Sequence, residues 1–330
     1  MTARRQWVLG GVLGALALAA GRALAQQGAQ RTWPWRAVRL WVAYPPGGLS
    51  DSIARALSEP LSAALGVPVV VEHRAGAGGA VGMAALARAA PDGHTLAFSA
   101  ISPLSLQPLI GHVSYDPQHA FAPVAAVMRT PVLVVGTPAL RGHDFQALIA
   151  QARERPNAVR WATSGVATVG HLVLAQVRRQ SGAAITHVPY QGGGPQLNDA
   201  LAGHFEVLST NVAAPQLRHV ATGRLRALAV GAPSRLDALP EVPTLAELGF
   251  GTANRDSLFG LFAPAGTPQA VVHRLNHEIN ALMGSRRMAE MLRQAHNLPA
   301  GGSPADFAHE IEADRALNAA LVAGGAQNFR

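Results

Sequence analysis

The sequence of 330 residues contains no cysteine and no lysine, and only 5% of it is aromatic. Without cysteine the chain can form neither a disulfide framework nor a cysteine-linked lipid anchor. Without lysine it carries all 27 of its basic groups as arginine, against 19 acidic residues, for a formal net charge of +8. The arginines are scattered, with only short pairs such as Arg178-Arg179 and Arg286-Arg287. The sequence shows no basic stripe interleaved with aromatics, which argues against a nucleic-acid partner. It also lacks repeats and low-complexity segments, which argues against a structural or adhesive role. With 14% charged and 49% apolar residues, the composition is that of a folded globule, long enough for two domains.

The first 25 residues read as a signal peptide. Arg4-Arg5 give the positive start, Trp7 to Ala20 the apolar run, and Ala23-Leu24-Ala25 the small-residue cleavage site, which makes Gln26 the expected mature N-terminus. That run is too short to span a bilayer comfortably, and glycine, proline or charge interrupts the later ones. Arg4-Arg5 followed by Gln6-Trp7-Val8-Leu9 loosely resembles a twin-arginine signal, so the Sec and Tat routes both fit. Removing Arg4, Arg5 and Arg22 with the leader leaves 24 arginines against 19 acids, a net +5. The expected product is a freely diffusing periplasmic protein.

The chain is organised around Val42-Ala43-Tyr44-Pro45-Pro46-Gly47-Gly48-Leu49-Ser50-Asp51. The β-formers of residues 38–42 precede it, and Ile53, Leu57, Leu61 and Leu65 follow at helical spacing, so the segment is a strand-to-helix turn. Two glycines allow close approach of a partner, and the first amides of a helix have no acceptor within it. Together with the helix dipole they favour an anion such as a carboxylate. A plain loop with Ser50 or Asp51 as N-cap is the competing reading.

Similar units recur along the chain. Residues 67–72 and 95–98 read as strands, the latter ending in Ser99-Ala100-Ile101-Ser102, and helices alternate with them, which predicts a parallel sheet covered on both faces. Ligands of such sheets gather beyond the carboxyl ends of the strands, so Tyr44 to Asp51 and Ser99 to Ser102 are candidates for one pocket. The strand at 132–135 is expected to lead into a second domain. There Thr163-Ser164-Gly165-Val166-Ala167-Thr168 and Gln191-Gly192-Gly193-Gly194-Pro195 form further turns before helices, and residues 205–209 a strand ending at Thr210-Asn211.

Tests for chemistry favour binding over catalysis. In Gly76-Ala77-Gly78-Gly79-Ala80-Val81 the third glycine of a dinucleotide fingerprint falls on Val81. His273 and His277 share a helical face, but Ala281 stands where H-E-x-x-H needs its second histidine, so neither a metal nor a cofactor is expected. Ser164 lacks the glycine that precedes the serine of a nucleophile elbow, although His171 lies close in sequence, and an exported serine hydrolase using that pair is the rival reading. Carboxylates do not cluster as a glycosidase needs.

Several ordered motifs then carry a family resemblance: Val71-Glu72-His73-Arg74-Ala75-Gly76-Ala77-Gly78-Gly79, Ala90-Pro91-Asp92-Gly93-His94-Thr95-Leu96, His187-Val188-Pro189-Tyr190-Gln191-Gly192, Leu239-Pro240-Glu241-Val242-Pro243-Thr244 and Leu261-Phe262-Ala263-Pro264-Ala265-Gly266-Thr267-Pro268, together with Tyr44-Pro45-Pro46-Gly47-Gly48. The chain resembles the Bug-type extracytoplasmic receptors of tripartite tricarboxylate transporters over essentially its whole mature length. The resemblance implies an α/β, two-domain periplasmic-binding-protein fold of the Venus-flytrap type, with residues 26–124 and 255–330 forming a discontinuous first domain and 125–254 the second. It implies a non-enzymatic monomer that captures a small organic acid and delivers it to membrane permease subunits, a role the sequence does not separate from reporting to a membrane sensor. The implied ligand contacts are Tyr44, Pro46, Gly47, Gly48, Asp51, Ser99, Ala100 and Ser102 from the first domain, and Ser164, Gly165, Thr168, His171 and Asn211 from the second. Tyr44 would form a wall, and Gly47 and Gly48 would give amides to one carboxylate. The sequence departs from the family at Leu258-Phe259-Gly260, Glu206 and Val166-Ala167, which points toward an aromatic or aliphatic acid rather than citrate.

Overall fold

The computed structural model describes residues 32–325 and residue 329, so the expected signal peptide lies outside the described residues. From Arg36 onward the chain forms one contact unit, and it is built on two sheets that share a strand. In the first, β1 (Val38–Val42) lies between β2 (Val69–His73) and β3 (Thr95–Ala100), parallel to both. Helix α1 (Leu49–Leu65) connects β1 to β2 and buries Ile53, Leu57, Leu61 and Leu65, the apolar positions that share one helical face. Helix α2 (Ala80–Leu86) connects β2 to β3, followed by the short helices α3 (Ser102–Ser105) and α4 (Gln107–Ile110).

Next comes β4 (Phe121–Gly136), sixteen residues long, where the sequence suggested a strand only at 132–135. Pro123 and Pro131 interrupt the pattern, yet the strand continues: a register shift follows Pro123, and Pro131 falls at the last pair with one neighbour, just before the strand changes partners. Its first part, to Pro131, runs antiparallel to β9 (Asp256–Pro264); from Val132 it pairs instead with β7 (Val207–Asn211) and β8 (Arg226–Gly231). The second sheet is completed by β5 (Arg160–Thr163), parallel to β7 and to β6 (Thr186–Pro189). Both faces of this sheet are covered. Val132 and Val134 enter one core with Trp161 and Phe145, while Leu133 and Val135 enter another with Phe205 and Leu208.

Four further helices build the second lobe: α5 (Phe145–Glu154), α6 (Val169–Ser181), α7 (Gly193–Leu201) and α8 (Ala214–Ala221). After β9 the chain forms α9 (Gln269–Met283), α10 (Arg286–Gln294), the two-residue β10 (Leu298–Pro299) and α11 (Pro304–Ala323). Helix α9 packs on α1 and β4, and Phe307 and Ile311 of α11 share a core with Trp41, Phe98's neighbour Ala97, and Phe262. The tail therefore returns to the first sheet. Around the passage between lobes, Ser257 Oγ donates to Asn211 Oδ1 at 2.9 Å, and Arg129 pairs with Asp256 and Glu310 while Arg255 pairs with Asp314.

The loop entering α6 is held by a pair of rings, the buried His171 and the half-buried His187. His171 stacks on His187 with centroids 4.1 Å apart and planes 12° from parallel, and Phe329 meets His171 edge-on. His171 Nδ1 accepts from the Ala167 amide at 3.0 Å, so its proton sits on Nε2. Burial, then His187 and Arg178, push the His171 imidazole down to about 3, and burial with Arg178 pushes His187 down to about 4. The native state thus keeps both rings neutral where the unfolded chain, near 6.5, takes up protons.

Two outcomes follow for stability. Gly260 leaves no room for a side chain, since a Cβ there would overlap the Phe307 ring and the Ala125 carbonyl; Gly260→Ala is expected to cost about 1–3 kcal/mol in urea unfolding, as overpacked cores do. The histidine pair contributes stability that is fully present above pH 6.5 and falls as the pH drops toward 4, by up to about 1.4 kcal/mol per pH unit for each ring. Urea midpoints measured at pH 7.5 and 5.0 should therefore differ, with a smaller difference in His171→Leu.

Candidate functional site

A single cavity between the lobes collects the starts of four helices. Gly48 precedes α1, Thr168 precedes α6, Gly192 precedes α7 and Ala213 precedes α8, and all four of these residues line the cavity. At none of them does a side chain cap the helix, whereas α5, α10 and α11 are capped by Asp144, Ser285 and Ser303 away from it. First-turn amides left without acceptors, in line with the positive ends of helix dipoles, make an anion site. Among the described residues, none that lines the cavity is aspartate, glutamate, arginine or histidine.

Each start is fixed by a different local device. At α1 the Asp51 carboxylate reaches back to the Gly47 amide at 3.0 Å, while Arg55 Nε and His73 Nε2 hold it at 2.8 and 2.9 Å. Burial raises the Asp51 carboxyl, but the Gly47 amide, His73 and Arg55 outweigh that and hold it below the ordinary carboxylate range. At α6 the Thr163 and Thr168 hydroxyls both donate to the Gly165 carbonyl, at 3.1 and 2.9 Å, and turn the loop so that Val169 and Gly170 face the cavity. Ser209 ties the lobe together: its hydroxyl donates to Gly170 O at 2.8 Å, and its carbonyl accepts from Gln196 of α7 at 3.1 Å.

Tyr44 and Phe259 form an aromatic wall, with ring centroids 5.9 Å apart. The Tyr44 ring faces the cavity, while its hydroxyl is enclosed beside Ser99, the Ala100 backbone and Ser102. Burial pushes the phenol above its ordinary value, and those three groups offset part of the rise. The lobes also touch at the rim. A Cβ on Gly78 would stand 2.6 Å from the Val166 carbonyl, and one on Gly192 2.7 Å from the Pro45 ring. Gln107 holds the Gly78 loop in place by donating to the Ala77 and Gly78 carbonyls at 2.9 and 3.1 Å.

Of the residues expected at the site, Tyr44, Gly47, Gly48, Ala100, Ser102, Ser164, Thr168 and Asn211 line the cavity. Pro46, Asp51, Ser99, Gly165 and His171 do not. Asp51 and Gly165 act behind the loops, Ser99 lies buried beneath Tyr44, and Pro46 is exposed at the rim. Nor is the Gly47 amide open to a ligand, because Asp51 occupies it. The N-caps are Gly48 and Thr168, and neither Ser50 nor Asp51 takes that place at α1. His171 is committed to Ala167 and His187, so it does not serve Ser164 as a base. Among the described residues no three acidic or histidine side chains gather as a metal site. Sequence reasoning missed Gly192 to Gly194, Ala213, Gln216 and Phe259 as lining residues. The glycine run was legible as a helix-start turn, but nothing in the sequence placed it opposite Pro45.

Comparisons with known proteins fit this geometry. Residues 53–322 match the model of the "Tripartite tricarboxylate transporter family receptor" family. The chain is 37% identical over 275 residues to Protein BugT of Bordetella pertussis, covering 83% of this chain and 84% of that one. It is 35% identical over 302 residues to the UPF0065 protein in the tcbD-tcbE intergenic region of a Pseudomonas species, covering 91% and 88%. An R. palustris protein solved with adipate superposes with a TM-score of 0.84 at 32% identity, covering 88% of this chain and 98% of that one. MatC from Rhodopseudomonas palustris, with bound malate, gives 0.83 at 25% identity, covering 88% and 100%. This chain belongs to the tripartite tricarboxylate transporter receptor family, as a solute-binding protein of two-lobed α/β fold.

Proposed function

We propose that the protein captures a small organic acid by its carboxylate in the cleft between its lobes, and delivers it from the periplasm to the permease subunits of a tripartite transporter. The observation that carries this reading is the convergence of four uncapped helix starts on a cavity without charged side chains. Such a site neutralises one anion with fixed dipoles and no proton transfer. The malate and adipate of the two R. palustris structures are carboxylates of the same class. In this reading the leader, residues 1–25, directs export, and the mature chain acts as a monomer. Residues 26–124 with 255–330 form one closing body and 125–254 the other. In this reading the protein acts as a receptor, and His171, engaged by Ala167 and His187, supports that over a hydrolase built on Ser164.

The ligand contacts are Tyr44, Gly48, Ala100 and Ser102 on one lobe and Ser164, Thr168 and Asn211 on the other. A ligand that touches both lobes stabilises the closed form, in which Gly78 meets Val166 and Gly192 meets Pro45.

Calorimetric titration with a panel of organic acids tests the reading directly, after any acid that co-purifies has been released and identified by mass spectrometry. Failure of every acid to bind would overturn it. Gly48 has open space around it, so Gly48→Leu should fold normally yet lose binding, and retained affinity would remove the α1 loop from the site. Gly78→Ala should keep the cavity but obstruct closure, weakening binding by about tenfold or more and abolishing the ligand-induced compaction seen by small-angle scattering. Because the cavity is lined by no carboxyl, imidazole or guanidinium group, affinity should stay level from about pH 6 to 9, where the ligand carboxylate is ionised. An inflection in that window would show that a protein group titrates with binding.

A further inference from the structure

Gln216 lies in the first turn of α8, lines the cavity and is only 6% exposed, and its amide oxygen has no hydrogen-bond partner among the described residues. A buried amide left unsatisfied is costly, and in a binding cleft it marks a group kept for the ligand. Gln196 also has a buried amide oxygen without a partner among the described residues, but it does not line the cavity. Asn211 Oδ1 accepts from Ser257, and Gln196, one helix away, donates to the Ser209 carbonyl. Both are anchored by the protein itself.

The charge around Gln216 narrows what it can meet. Among the described residues no cationic side chain lines the cavity, and Arg218, two residues further along α8, is exposed and does not line it. The helix starts supply dipoles for one carboxylate. A second carboxylate would have to share those same dipoles, with no cationic side chain among the described lining residues to offset the repulsion between the two charges. A hydroxyl both donates and accepts, and so matches an amide in either orientation.

We propose that Gln216 is the specificity-determining residue of the cleft, selecting monocarboxylic acids that carry a neutral hydrogen-bonding group, above all a hydroxyl, at the end remote from the carboxylate. The proposal rests on the carboxylate reading of the cleft. Its test compares matched acids on the full mature protein by calorimetry: hydroxyl against methyl against second carboxylate on the same skeleton. Suitable probes are 4-hydroxybenzoate, 4-methylbenzoate and terephthalate, with 4-hydroxybutanoate, pentanoate and glutarate as the aliphatic set.

The expected result is that the hydroxy acid of the set that fits binds about tenfold or more tightly than its methyl partner, and more tightly than the dicarboxylate. In Gln216→Leu the hydroxyl-to-methyl ratio should collapse to near one, while thermal unfolding of the free protein shows a fold at least as stable as wild type, since the substitution removes an unsatisfied group. Acids that bind wild type with a preference Gln216→Leu leaves intact, or a dicarboxylate that binds best, would overturn the role of Gln216 and leave the receptor reading standing. If no acid in either set binds, the carboxylate reading falls and this inference falls with it.

Discussion

An α-helix cannot satisfy its own first amides, and in this protein that constraint governs the site. Four helices begin at one cavity with no side chain covering their ends. Elsewhere Asp144, Ser285 and Ser303 cover the starts of α5, α10 and α11, with Ser303 and Asp306 closing a full capping box, while α9 starts at Pro268 without a side-chain cap. The contrast is energetic. A missing cap costs roughly 1 kcal/mol, and at the cleft a bound carboxylate can offset that cost by accepting from the open amides.

Charged side chains still matter to the cleft, but from behind it. Asp51 turns the α1 loop by binding the Gly47 amide, with Arg55 and His73 keeping it ionised. The neutral His171 and His187 rings brace the loop before α6. Both devices fix backbone direction, so the ligand-facing surface is built of peptide groups, hydroxyls and rings. A lysine or histidine in the cavity would add attraction, yet it would also bring a titration that fixed dipoles do not have.

The lobes that carry these loops are joined by strands instead of flexible linkers. One strand, β4, serves two sheets, pairing with β9 up to Pro131 and with β7 and β8 beyond it. Glycines at the rim then decide how closely the lobes meet, since Gly78 and Gly192 stand where even a methyl group would strike the opposite lobe.

Local chemistry was legible in the sequence. The strand-to-helix turns at Tyr44 to Asp51, at residues 163–168 and at 191–195 could be read from alternating β-formers, glycines and helical periodicity, because each is set by neighbours within one or two turns of chain. The Ala263-Pro264-Ala265-Gly266-Thr267-Pro268 segment and its companion motifs likewise pointed to the receptor family. Which side of each turn faces the cavity was not legible. Asp51 and His171 look like ligand groups when sequence distance is all there is, and they prove to be braces because their partners, His73 and His187, arrive from other strands. Phe259 and Gln216 carry no local signature; β9 and α8 bring them to the cavity across the sheet. The sequence by itself determined the turns, the elements and the family, since these depend on near neighbours and motif order. Only the tertiary structure decided which amides remain free, because an amide's acceptor can come from anywhere in the chain.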